Sequence, residues 1–201
     1  MKKIFLLLSV IMLLPTLLRA QAALEEIGDF RLIYGKEGNK TMYQISYKGF
    51  KGEVGGSDGE FGGRVSPEYW YVVEKTKKGT VKKWQLGFTG RCSRKSNFTM
   101  NKGGKILIKL FDDSVITLTT NSVQIKEDYE YGTWFLPTAR LSDANFKKIT
   151  EIGVKKVRFE TFPQVFDVNY EKDIIGAFLK EAAPILKEKA NSNTDRLKKD
   201  F

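Results

Sequence analysis

The chain predicts an α+β fold: mainly antiparallel β, arranged as a curved sheet, a sandwich or a partly closed barrel, with a C-terminal amphipathic helix packed on it. Three observations carry that prediction. From Asp29 to Tyr170, short alternating segments are punctuated by Gly, Asn and Asp, a pattern of antiparallel strands rather than βαβ units. After Asp173 the apolar period turns helical, and Ile174, Ile175, Phe178, Leu179, Ala182, Ile185 and Leu186 fall on one stripe. Finally, 201 residues with a short leader removed suit one domain, which hides ~70% of its unfolded surface.

Residues 1–22 read as a cleavable export signal. Lys2 and Lys3 precede an apolar run from Ile4 to Leu14, Pro15 weakens the helix, and Ala20-Gln21-Ala22 places small residues three and one before a cut at Ala23. The run is shorter than the ~20 apolar residues a spanning helix needs, and no Cys follows the cut to take a lipid. The expected organisation is a signal over 1–22, one α+β domain over 23–190 and a frayed polar tail over 191–201.

Nine strands are expected, over 30–34, 42–50, 69–75, 81–88, 105–111, 114–120, 133–137, 154–162 and 164–170. A two-residue turn at Lys78-Gly79 would oppose Val73 to Trp84, Tyr71 to Leu86 and Tyr69 to Phe88 on one face. The other face would set Glu74 against Lys83 and stand Trp70 over Gly87, so Trp70 is either covered by another element or an exposed aromatic. A turn at Asp112-Asp113 would oppose Leu110 to Val115, Ile108 to Thr117 and Leu107 to Leu118, with apolar residues on both faces as in a central hairpin. The two aspartates then serve the turn, since Asp bonds its own backbone there.

Ser142 fits a helix N-cap, with Leu141 and Phe146 in staple positions and Gly153 beyond the last turn. The closing helix, 173–190, is capped by Asp173 and carries Pro184, expected to kink it near Lys180. Its stripe needs a place to bury, and the open side of the sheet is that place. A barrel in the membrane is not expected, because the segments are mostly shorter than the ~9–11 residues of a spanning strand and the last residues do not alternate.

Composition excludes several chemistries. The chain has no His, which removes Ser-His-Asp and Cys-His catalysis, His-bearing zinc sites and imidazole switches. No S-x-x-K motif follows the leader. Cys92 is the only cysteine, so no intrachain disulfide can form. It is either a thiolate favoured by Arg91, Arg94 and Lys95 or a small half-buried apolar residue. An enzyme here would depend on carboxylates, Lys, Tyr or a metal; no catalytic residue, metal ligand or cofactor is assigned.

Charge is the most uneven feature. The net charge of +10 falls to +7 once Lys2, Lys3 and Arg19 leave with the signal. Residues 75–109 hold eleven basic residues and no acidic one, so the whole remaining excess lies there. Its densest part, 90–97, offers Arg91, Arg94 and Lys95 in a turn-rich stretch, where Arg suits bidentate oxyanion recognition and Lys adds field. Together with Lys82, Lys83 and Trp70 these are the candidate binding residues; the plain alternative is a solvated face. A second candidate is the glycine-rich stretch 52–63 around Asp58 and Glu60, either a connector or a loop bringing a carboxylate to a sugar.

The leader ending in Ala20-Gln21-Ala22 and the run Leu141-Ser142-Asp143 … Gly153-Val154-Lys155-Lys156-Val157-Arg158-Phe159-Glu160-Thr161 … Asp167 resemble small uncharacterised exported proteins of Gram-negative bacteria. The resemblance implies a periplasmic or secreted β-rich domain and brings no catalytic residues. A pleckstrin-homology-like arrangement is one concrete version of the fold, on element order alone. The expected function is a non-catalytic binding module for an anionic cell-envelope partner: a glycan, a lipid headgroup or an acidic protein. Nucleic acid is not expected after export. The alternatives are an assembly protein pairing through a sheet edge and a small carboxylate-based hydrolase using Asp58 or Glu60.

Overall fold

A computed structural model describes residues 23–48, 64–92, 99–128, 132–162 and 165–199. In chain order the elements are β1 (Ala23–Ile27), β2 (Phe30–Glu37), β3 (Lys40–Tyr47), β4 (Arg64–Thr76), β5 (Gly79–Cys92), β6 (Lys105–Leu110), β7 (Val115–Asp128), β8 (Gly132–Arg140), α1 (Asp143–Ile152), β9 (Val154–Phe159), β10 (Phe166–Asn169) and α2 (Ile174–Lys199). All nine expected strands are present. A tenth, β1, was not foreseen: four of its five residues are exposed, so it lacks the alternation that marks a half-buried strand.

The strands form one open antiparallel sheet in the order β1-β2-β3-β4-β5-β8-β7-β6-β9-β10. Among the described residues, ten strands in open order with two helices do not make a small barrel plugged by one helix. The strands also run longer than their sequence segments suggested, to 13 residues in β4 and 14 in β5 and β7.

β7 explains how so wide a sheet encloses a core. Its first half pairs with β6 and its second with β8, and the register slips between Thr120 and Ser122, an irregularity of the kind that bends a strand. The two halves of the sheet thus meet face to face. Phe88 of β5 packs edge-on against Phe159 of β9 at 5.3 Å, and Phe135 of β8 against Phe166 of β10 at 5.6 Å. Helix α2 closes the remaining side. Its stripe is buried as expected at Ile175, Phe178, Leu179, Ala182 and Leu186, and the Phe178 ring meets Phe30 and Tyr47. The helix continues past Pro184 and past Ala190 to Lys199.

Both hairpins turn differently from expectation. In β4–β5 the corner is Lys77-Lys78, with Tyr71 opposite Trp84, Tyr69 opposite Leu86 and Glu68 opposite Gly87. A Lys78-Gly79 corner of the favoured hairpin type would need positive φ at Lys78, whereas only Gly79 has it, at 123°. Thr76 Oγ1 accepts from the Lys78 N–H and donates to the Gly79 carbonyl, which fixes that corner. The slip is two residues, so every side chain keeps its expected face. In β6–β7 the loop gains a residue because Asp113 adopts φ 64°, while Asp112 accepts from the Ser114 N–H and hydroxyl. Ile108 therefore faces Ile116 and Ile106 faces Leu118. That one-residue change sorts the expected two apolar faces into one. Ile106, Ile108, Leu110, Ile116 and Leu118 are all in the core, and β6 is central, between β7 and β9.

The helix ends follow their sequence signals. Ser142 accepts from the Asn145 N–H, and Gly153, at φ 84°, donates to the Ile149 carbonyl. Asp173 Oδ1 accepts from both the Gly176 N–H at 2.8 Å and the Val154 N–H at 3.0 Å, joining the start of α2 to the start of β9.

Candidate functional site

The acid-free run does not form one surface. Lys82 and Lys83 lie beside the Lys77-Lys78 corner, whereas Arg91 lies toward the far end of the same strand, nine residues and therefore ~30 Å away. The Arg91 side chain, Arg94 and Lys95 are outside the described residues, as are Asp58, Glu60 and the side chain of Cys92. Trp70 sits midway along β4 on the face turned away from the main core. It is 6% exposed, packed with Ile33, Met42 and Leu136, and its indole nitrogen stands over Gly87, where a Cβ would come within 3.2 Å of it. Of the two readings of Trp70, the covered one holds.

Two lysines in the far part of the run are already engaged. Lys109 pairs with Asp113 at 2.9 Å, and Lys105 Nζ donates to Thr119 Oγ1. Two lysines hold the Asp113 carboxyl below its ordinary range by hydrogen bonds, Lys109 first and then Lys155. On the neighbouring strands, Asp167 receives Arg158 through Nε and Nη2, both at 2.7 Å, and Lys156 at 2.6 Å. The Arg158 bonds depress the Asp167 carboxyl most. These cations are satisfied within the sheet.

The near end differs. Strands β2 to β5 form a meander, so the Gly38-Asn39 turn and the Lys77-Lys78 turn project from one end of the sheet. Asn39 locks them together, donating Nδ2–H to the Lys75 carbonyl at 2.6 Å and accepting from the Lys75 N–H at 2.9 Å. This brings Lys36 and Lys40 of the first hairpin beside Lys75, Lys77, Lys78, Lys82 and Lys83 of the second. Two glutamates, Glu37 and Glu74, belong to the same stretch. Glu74 is committed to Lys83 at 2.9 Å, and that hydrogen bond lowers its pKa. Among the described residues, no carboxylate pairs with Lys36, Lys75, Lys77, Lys78 or Lys82, and all five are exposed.

Sequence reasoning named Lys82 and Lys83 but missed Lys36 and Lys40, which are separated from the run by a stretch that holds five acidic residues, Glu53, Asp58, Glu60, Glu68 and Glu74. The Gly38-Asn39 turn between two alternating segments was the available signal, since a second hairpin in a meander brings its tip to the same end.

The arrangement can raise the local concentration of a multivalent anion. Among the described residues no three His, Cys, Asp or Glu side chains gather as metal ligands, and no helix is long and apolar enough to cross a membrane. Comparison with protein-family models, with curated proteins and with solved structures finds no match.

Proposed function

We propose that this protein is an exported, non-catalytic binding module that holds an anionic component of the cell envelope on the lysine-rich end of its sheet. The observation that supports the reading is the pair of interlocked hairpin tips, seven lysines against two glutamates, with five lysines lacking a carboxylate partner among the described residues. Lysines on turns are mobile point charges rather than preset forks, so the site suits a polymer or surface with many negative charges better than one small bidentate ligand. Such binding is sensitive to salt, because the Debye length falls to ~10 Å at about 0.1 M.

Reversal of Lys77, Lys78 and Lys82 to Glu should abolish retention on an anionic polymer at low ionic strength and leave the melting temperature within a few degrees of wild type. Reversal of Arg91, Arg94 and Lys95 serves as the comparison, because it loads the same charge change onto the other end of β5. Undiminished retention of the Lys77, Lys78 and Lys82 variant would refute this assignment, and loss confined to the Arg91, Arg94 and Lys95 variant would move the site to the far end.

A further inference from the structure

The core-side face of the meander carries a row of four aromatic rings, one per strand. Tyr34 of β2, Tyr43 of β3, Tyr71 of β4 and Trp84 of β5 are cross-strand partners in turn, with centroids 5.0, 6.2 and 4.3 Å apart. Two residues nearer the hairpin tips, on the same face, the next row is Lys36, Thr41, Val73 and Lys82. Most of the aromatic row is covered. Tyr43 and Tyr71 are buried, and Lys187 of α2 stands over the Trp84 ring at 5.8 Å. Tyr34, at the β2 end, is only half-buried.

The Tyr34 end opens into a cavity of about 450 Å³ between β1–β3 and α2. The large apolar side chains of the α2 stripe stop at Leu186; the next turn is packed by the small Ala190, and Lys189 and Ser192 line the space left over. Leu32, Tyr34 and Tyr43 line the sheet side, while Glu25 of β1 and Lys189 pair with each other at 2.6 Å beside them. Ser192 Oγ donates to the Lys189 carbonyl and keeps its acceptor capacity. An aromatic floor with a few polar groups to one side is the usual make-up of a small-ligand pocket. It matches a sugar ring, whose C–H face packs on an aromatic side chain while its hydroxyls donate to Glu25 and Ser192 and accept from Lys189. An acyl chain of the same volume would cover those polar groups without bonding them, which costs free energy. Lys36 lies two residues beyond Tyr34 on the same strand face, ~7 Å by strand rise. A saccharide seated in the cavity therefore runs out onto the lysine-rich end.

We infer that this cavity is a sugar-binding subsite of the anion-binding surface, seating a ring of an acidic polysaccharide whose carboxylates or sulfates continue onto Lys36 and the two hairpin tips. The subsite rests on the proposed role of the lysine-rich end, and it selects carbohydrate over a lipid headgroup or an acidic protein as the partner.

Three probes at low ionic strength test it: an oligogalacturonate, polyglutamate and phosphatidylglycerol vesicles. Ser192→Trp plugs the cavity from an exposed position, so its melting temperature should stay within a few degrees of wild type. The plug should weaken oligogalacturonate binding about tenfold or more and leave polyglutamate binding unchanged. Tyr34→Ala, which removes the floor ring, should weaken sugar binding similarly. Wild-type oligogalacturonate affinity in both variants overturns the subsite, and the lysine-rich end still stands if reversal of Lys77, Lys78 and Lys82 abolishes that binding. An equal loss for polyglutamate, or a loss confined to the vesicles, also overturns it, the latter by assigning the cavity to an acyl chain. Wild-type protein that binds none of the three probes refutes the anion-binding role itself, and the subsite with it.

Discussion

Truncation of Phe135 to alanine is expected to cost about 3–5 kcal/mol of unfolding free energy, a large share of the roughly 5–15 kcal/mol that holds a domain together. Phe135 is 1% exposed and lies where the two halves of the folded-over sheet meet, with the rings of Phe159 and Phe166 edge-on at 5.5 and 5.6 Å. Behind it is Gly90 on the adjacent strand, where any Cβ would overlap the Phe135 ring. Three rings and a glycine thus interlock. Urea unfolding should show the loss as a lower midpoint; a loss below about 1 kcal/mol would mean that the halves are not held by this contact. Gly90→Ala should destabilise from the opposite direction, by overpacking, by about 1–3 kcal/mol.

The second large effect is expected at Asp173, where Asp173→Ala should cost about 2 kcal/mol or more. The substitution removes an N-cap, worth roughly 0.5–2 kcal/mol. It also strips the acceptor from the N–H of Val154, a fully buried residue, at a further cost of about 1–3 kcal/mol. The surroundings are shaped around this carboxylate. A Cβ on Gly153 would come within 2.8 Å of it, and one on Gly176 would overlap it and reach 2.7 Å from the Ile149 carbonyl. Asp173→Asn keeps an acceptor oxygen and should recover most of the loss. Thermal unfolding of the two variants checks this, and equal destabilisation by Ala and Asn would remove the bridging role.

Elements whose signals were local were readable before the structure was. Ser142 and Gly153 bracket α1 through their own backbone bonds, and the stripe on α2 from Ile174 to Leu186 is the face it buries. Turn details were not readable, because Lys77-Lys78 against Lys78-Gly79, or a left-handed Asp113, differ by small backbone preferences that the flanking strands decide. The consequences differ with parity. A slip of two at the first hairpin left every face intact, whereas one extra residue at Asp113 moved Ile116 and Leu118 into the core.

The site was legible in part, and its limits are topological. The run from Lys75 to Lys109 is continuous in the chain, but β5 carries its two halves to opposite ends of the sheet, and Lys105 and Lys109 find partners in Thr119 and Asp113. Lys36 and Lys40 join the cluster only because the meander returns to the same end. Glu68 gave no signal, since an acidic residue in an alternating strand reads as solvent-facing, yet it is 6% exposed and is held by Gln44 and Thr89 of the two flanking strands.

The central claim is that the lysine-rich sheet end is the binding surface. Its most direct test is an amide NMR titration of the protein with an anionic oligosaccharide at low ionic strength. The shifts should concentrate in Lys36–Lys40 and Thr76–Lys83, saturate together, and vanish when salt is raised several-fold. Shifts centred on Arg91 and the far end of β5, or no shifts at low salt, would contradict it.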